Sequence, residues 1–274
     1  MAGVMAIWLL AALTIASVAA DPSADPGAPF VFIPPVWSSR VVFYHSFESG
    51  VREPEINVIQ ASIEGVDEPL TDGFTRTGYP VLSGKDARKP LRITSPALSP
   101  HRPLTIMFWW RLDQEMAEDL TFCLFYAVSP GRPGYIANAV HGKSNWCALR
   151  EPSLISQVHG YAGIMNHHNQ WGGRVWPQMG EWRHWAMTAT GADTLSIYWD
   201  GNLRETIAIK GRPFHENDIT VAGFGEQYSR DGKPDAALTF DELLVLDRAL
   251  RPDEIQAYVL AASRLRERQE LSGR

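Results

Sequence analysis

The sequence predicts an all-β fold: a sandwich of two antiparallel sheets with one short helix at its C-terminal end. Three observations predict it. Residues 180–210 read as three strands joined by two tight turns with no helix between them, which favours antiparallel pairing. Short apolar or alternating segments, broken by Gly and Pro, recur along most of the 274 residues. Helical spacing occurs only after Pro252, and many strands with one terminal helix suit two packed sheets.

The stretch 180–210 sets the pattern. Trp182, His184, Ala186 and Thr188 alternate with Arg183, Trp185, Met187 and Ala189, so one strand carries large rings on both faces. Gly191-Ala192-Asp193 breaks the run. Leu195, Ile197 and Trp199 then share a face, with Ser196 and Tyr198 on the other. Asp200-Gly201-Asn202 is a hairpin turn, because these residues accept the positive φ of primed turns. Leu203, Glu205, Ile207 and Ile209 continue with period two.

Composition bounds the function. The chain is 45% hydrophobic and 20% charged, which suits one globular domain with an appendage. Its net charge of −6 and lack of a long basic run argue against nucleic acid or an anionic membrane surface as partner. The ten tryptophans serve as core filling or as sugar-stacking platforms.

Residues 1–20 read as a secretory signal peptide. An apolar run ends in Ser17-Val18-Ala19-Ala20, small residues that suit signal peptidase. No Lys or Arg precedes the run, and an uncleaved anchor is the rival reading, although the run is short for a span. No Cys follows it, which excludes a lipoprotein anchor, and no other segment is long enough to cross a membrane. The expected location is secreted or extracytoplasmic, in a periplasm or on a cell surface. Residues 21–38 form a Pro-rich arm or linker, 39–257 the folded domain and 258–274 a helical, charged tail, frayed or solvated from Arg264 onward. Cys123 and Cys147 either pair as a disulfide or stay as two buried thiols.

The elements follow in order. Residues 40–47 form a strand, and 51–80 hold short strands and loops. Residues 91–93 form a strand before Pro96. Residues 104–112 are apolar on both faces, as in a central strand buried between two layers. Strands are expected at 121–128, 136–140, 154–165, 219–224 and 237–246. The helix starts at Pro252, with Asp253 and Glu254 at its positive end and Arg251 as a poor cap.

Two motifs carry a family resemblance. Trp182-Arg183-His184-Trp185-Ala186-Met187-Thr188 followed by Leu195-Ser196-Ile197-Tyr198-Trp199-Asp200-Gly201 is one. Phe240-Asp241-Glu242-Leu243-Leu244-Val245-Leu246-Asp247-Arg248-Ala249-Leu250 with Asp253-Glu254-Ile255 is the other. With weaker matches at Thr105–Trp110 and Val41–Gly50, the chain resembles the laminin-G-like, concanavalin A-like lectin/glucanase superfamily over roughly residues 40–257. The resemblance implies that the sandwich is a jelly roll. It also implies a structural Ca²⁺ where first and last strands meet, with Glu48 and Asp241 as the matching acids. The alternative is that Asp241 bonds backbone amides of a neighbouring strand or loop.

Chemistry is sparse. Retaining glycosidases of this fold need two carboxyls on one face, hence Glu-x-Asp-x-Glu spacing on a strand, and no such run exists. Asp241 and Glu242 are adjacent, so strand alternation puts them on opposite faces. No G-x-S-x-G, G-x-G-x-x-G, P-loop or H-E-x-x-H occurs. The unusual stretch is Asn166-His167-His168-Asn169-Gln170-Trp171-Gly172-Gly173, with Trp176 beyond it. His167, His168, Trp171 and Trp176 read either as a polar rim with aromatic platforms for a glycan or as a Gly-rich loop anchored by its tryptophans. His184, inside the family motif, reads as a packed, hydrogen-bonded histidine. The expectation is an exported, non-catalytic module that binds carbohydrate or an extracellular or cell-surface protein. The alternatives are a glycosidase or polysaccharide lyase with a site at 159–176, or a purely structural surface module.

Overall fold

The computed structural model describes residues 33–65, 71–75, 77–82, 91–98, 102–113, 121–128, 135–141, 146–150, 164–166, 179–191, 194–208, 221–227 and 237–272. These form two antiparallel sheets and one long helix. The larger sheet runs β14 (Asn202–Ala208), β13 (Thr194–Trp199), β12 (Trp182–Thr190), β7 (Pro103–Leu112), β16 (Ala237–Leu246), β1 (Val41–His45) and β2 (Ile56–Asn57). β5 (Thr77–Leu82) joins β16, and β4 (Thr71–Asp72) pairs with β5. The smaller sheet runs β11 (Ile164–Asn166), β10 (Trp146–Arg150), β9 (Tyr135–His141), β8 (Thr121–Val128), β15 (Val221–Gln227), β6 (Leu91–Thr94) and β3 (Ser62–Glu64). Helix α1 spans Pro252–Ser272. The architecture is the expected jelly-roll sandwich with a C-terminal helix. Among the described residues no helix is long and apolar enough to cross a membrane.

Alternation sorts the side chains into two cores. Phe108, Trp110, Trp185, Met187, Leu195, Ile197, Trp199, Phe240 and Val245 fill the space between the sheets, with Leu91 and Ile93 of β6. Met107, Trp109, Ala186, Tyr198, Leu244 and Leu246 point the other way, onto the outer face of the larger sheet. There Leu250, ahead of the helix, and Ile255, Tyr258, Val259 and Ala262 of α1 cover them. The molecule therefore has three layers, sheet, sheet and helix, and this explains why β7 is apolar on both sides. Each fully buried large side chain contributes about 1.5–3 kcal/mol of transfer free energy. The N-terminal arm joins the outer layer: Ile33 packs on this cluster and Trp37 stacks on Tyr258 at 5.5 Å.

The hairpin at 200–202 forms as expected, with Asp200 at φ 49° and Gly201 at φ 76°. Asp200 ties the turn back to β12, accepting the His184 N–H at 2.9 Å and the Arg183 guanidinium at 3.0 Å. The period-two run beyond it breaks early. A bulge shifts the β13–β14 register between Ile197 and Tyr198, and Leu203 is exposed.

Three expectations change. Strand β10 was not anticipated, and within 154–165 the described part of β11 begins only at Ile164. The helix start is better held than Arg251 suggested: Glu254 reaches back to the Arg251 N–H at 2.9 Å, half of a capping box, and also takes Arg248 at 2.7 Å. The tail is helical and exposed at Arg264, Glu267, Arg268 and Glu270 as expected, but it is not frayed and one side chain packs back. The helix continues to Ser272, and Arg266 lies over the Phe74 and Trp182 rings. As for the cysteines, β9 runs between the strands that carry Cys123 and Cys147, opposite Ala139 and Val140 respectively. Residues 1–32, including the expected signal peptide, lie outside the described residues.

Gly201 tests the helix–sheet contact. A Cβ there would sit 3.0 Å from the Gln256 Cα on a backbone at positive φ. Gly201→Ala is expected to destabilise the protein by about 1–3 kcal/mol in urea unfolding. A wild-type midpoint would show that α1 does not press on this turn.

Candidate functional site

The most unusual chemistry lies where β16 changes neighbours. Through Phe240 it pairs with β5, and from Leu243 onward it pairs with β1. At the switch an extra residue enters the strand: Asp241 stands opposite Trp109, but Leu244 stands opposite Met107. Glu242 takes up the bulge with φ 54°. This overturns the expectation that Asp241 and Glu242 face opposite ways. Phe240 and Leu243 both enter the inter-sheet core, and both carboxyls turn to the outer side, where they meet Thr75.

The pair clasps the loop between β4 and β5. Asp241 Oδ2 accepts the Phe74 N–H at 2.6 Å and the Thr75 N–H at 3.1 Å, while Oδ1 accepts the Glu242 N–H at 2.7 Å. Glu242 accepts the Tyr44 hydroxyl at 2.5 Å and the Thr75 hydroxyl at 2.9 Å. Gly73 makes room for this, since a Cβ there would lie 2.5 Å from Asp241 Oδ2. Glu48 holds the far end of the loop, accepting the Thr77 N–H at 3.0 Å, and the Thr77 hydroxyl donates to the Phe47 carbonyl at 3.0 Å.

Both acids are sealed, Asp241 at 0% and Glu242 at 1% exposure. Burial pushes the Asp241 carboxyl well above the carboxylate range, the neighbouring Glu242 charge adds to this, and the three amide bonds oppose it. Burial lifts Glu242 to about 8, against the pull of its bonds from Tyr44 and Thr75. Tyr44 is raised by its own burial and then by Glu242.

These contacts bear on calcium. The ion takes six to eight oxygens, and here the Asp241 and Glu48 oxygens already face backbone N–H dipoles. Among the described residues no group of three or more His, Cys, Asp or Glu side chains is placed to hold a metal. As arranged, Glu48 and Asp241 fit loop amides better than Ca²⁺.

A row of polar and aromatic groups crosses the outer face from this pair. His184 of β12 stands opposite Trp109 of β7, which stands opposite Asp241 of β16. Tyr258 of α1 roofs the row 5.5 Å from His184, and Phe74 stacks on Trp109 at 3.9 Å. His184 is packed as expected but not hydrogen-bonded. It is fully buried, neither ring nitrogen has a partner, and burial lowers it to about 3, so it is neutral. At the end of the row Trp182 meets two arginines, Arg111 at 4.9 Å and Arg266 at 5.7 Å from its ring centroid.

No nucleophile–base pair forms at His45, Ser46 and Glu55. The Ser46 hydroxyl donates to Glu55, and both His45 nitrogens are engaged by the backbone of Val51 and Phe47. Of the residues expected to bind ligand, His167, His168, Trp171 and Trp176 lie outside the described residues. The alternative reading of Asp241, as a side chain that bonds backbone amides of a neighbouring loop, is the one found, but the part of Glu242 beside it was not expected. The signal for it was two adjacent acids inside an apolar strand, a placement that demands partners on one side.

The family model described as the concanavalin A-like lectin/glucanases superfamily matches residues 85–256. No curated protein matches the chain in sequence. Among solved structures, one from a study of botulinum neurotoxin type C and its interaction with two ganglioside molecules superposes with TM-score 0.57 at 11% identity, covering 83% of this chain and 52% of that one. The botulinum neurotoxin serotype G binding domain superposes with TM-score 0.58 at 11% identity, covering 80% and 50%. The binding domain of botulinum neurotoxin DC in complex with SialylT gives 0.58 at 12%, covering 83% and 52%. The chain thus spans about half the length of these structures. At such identities the likeness concerns the fold.

The sealed pair predicts a pH signature. Glu242 is raised from its usual 4.5 to about 8 in the folded chain, so its stabilisation is complete below 4.5 and lost as pH rises through 8. His184 acts in the opposite sense at lower pH, being lowered from 6.5 to about 3, so its neutral burial costs stability as pH falls through that window. Between 4.5 and 6.5 the two slopes oppose each other, so urea unfolding from about pH 4 to 9 is expected to show its loss, on the order of 2 kcal/mol, between about 6.5 and 8. Glu242→Gln should flatten that decline and leave the acid limb in place. Parallel profiles for the two proteins would refute the assignment.

Proposed function

This chain belongs to the concanavalin A-like lectin/glucanases superfamily, and we propose that it acts as an exported, non-catalytic binding module. Its ligand is a carbohydrate or an extracellular or cell-surface protein. The observation that carries this reading is the state of the Asp241–Glu242 pair. A glycosidase needs one carboxyl as acid and another as base or nucleophile, both open to a sugar. Here each is closed to solvent and bound by backbone amides or by Tyr44 and Thr75. The bulge that turns both acids to one side is the feature that favours the glycosidase alternative. The roof of α1 and Phe74 over that side weighs against it.

Export rests on the signal-peptide pattern of residues 1–20 and on no structural observation. The likeness to toxin binding domains supports a binding role as analogy.

A glycan and polysaccharide panel, run in calcium and then in EDTA, tests the proposal. Binding is expected, unchanged by EDTA because Glu48 and Asp241 are taken up by loop amides. Binding lost in EDTA would restore calcium to that pair. Release of reducing ends or of unsaturated products from any polysaccharide would sink the non-catalytic reading.

A further inference from the structure

Strands β7 and β12 meet at a corner of the outer face that α1 covers only in part. Trp182 and Arg111 are direct cross-strand partners there. The Arg111 guanidinium lies 4.9 Å from the Trp182 centroid. Arg266 of α1 brings a second guanidinium, 5.7 Å from the same ring and 5.3 Å from Phe74. The Trp182 ring is partly exposed, while its indole N–H is turned inward, away from solvent. Two groups of like charge therefore meet on one partly exposed ring.

The acceptors beside them differ: the Arg111 pair is short and largely buried, the Arg266 pair open on its acid side. Asp113 takes the Arg111 Nε at 2.5 Å. Glu270 takes Arg266 at 2.9–3.0 Å, but its side chain is 58% exposed. An exposed pair one helical turn apart contributes little and exchanges readily. Arg266 is lowered chiefly by burial, Glu270 opposes that, and the charge of Arg111 adds to it. Crowded guanidiniums gain from an anion that faces both. A carboxylate suits them, because the guanidinium fork matches its two oxygens. The net charge of −6 repels polyanions elsewhere on the chain, so attraction has to be local.

We infer that the Arg111–Trp182–Arg266 corner binds the carboxylates of an acidic polysaccharide, with a sugar carboxylate replacing Glu270 on Arg266. The inference rests on the binding-module reading and names its ligand class. Glu270 is then the internal stand-in for the ligand, and the Trp182 ring is the surface on which the two charges are held.

The experiment is calorimetric titration of the full chain with oligomers of galacturonate, guluronate and hyaluronan, each beside its methyl ester. The ester keeps the backbone and removes the charge. At least one acid form is expected to bind, with its ester about tenfold weaker or worse. Arg111→Gln and Arg266→Gln should each weaken binding about tenfold, and Glu270→Gln should tighten it about threefold by removing the competitor. Glu270→Gln alters an exposed side chain, so it reports even if an arginine variant fails to fold. Equal binding of acid and ester, or an unchanged or weaker Glu270→Gln, would overturn the site. Binding of neutral glycans alone, indifferent to the arginines, would overturn it and leave the binding module intact. Silence toward acidic and neutral glycans and toward cell-surface proteins would overturn both.

Discussion

The outer half of this protein depends on two carboxyls closing one loop. Asp241 alone accepts three backbone N–H groups, from Phe74, Thr75 and Glu242. A buried amide without a partner costs several times what a satisfied one contributes, so this single side chain decides whether residues 73–75 can lie against the sheet at all. Once they do, Phe74 lies flat on Trp109 and offers its other side to Arg266. The last turns of α1 are thereby linked, through one loop, to a bulge in β16.

The bulge follows from a topological demand. β16 must serve β5 with its first half and β1 with its second, while keeping β7 on its other side. An inserted residue lets the strand bend between the two partners. Polar side chains at such a point have unpaired backbone nearby, and the acids use it. Their proton count is the consequence: two carboxyls sealed side by side cannot both ionise cheaply. Tyr44 from β1 and Thr75 from the loop supply the hydroxyls that make the arrangement tolerable.

Much of the fold was legible because it rests on period two. The strand with Trp182, His184 and Trp185, the primed turn at Asp200-Gly201 and the doubly buried β7 all follow from alternation and turn chemistry. What alternation cannot show is where it slips. Glu242 and the β14 register each carry one extra residue, and a slip of one moves every later side chain to the other face. The helix start was misread for a related reason. Arg251 is a poor cap, but the Glu254 side chain does the work from one turn away. His184 was expected to be packed and hydrogen-bonded from its place in the family motif, and it packs as a ring against Trp109 and Tyr258 without the hydrogen bond.

The same layering narrows where a ligand can touch. One face of the larger sheet is consumed by the inter-sheet core and the other by α1, Trp37 and Phe74. Among the described residues, little of either face of this sheet is left open to a broad ligand. Contact is left to edges and corners, where the covering layer thins. The helix is apolar against the sheet as far as Ala262, and beyond that it holds on through an arginine. A hydrophobic anchor would have sealed the Trp182 corner permanently. An arginine paired to an exposed glutamate covers it with a contact that a stronger anion can replace.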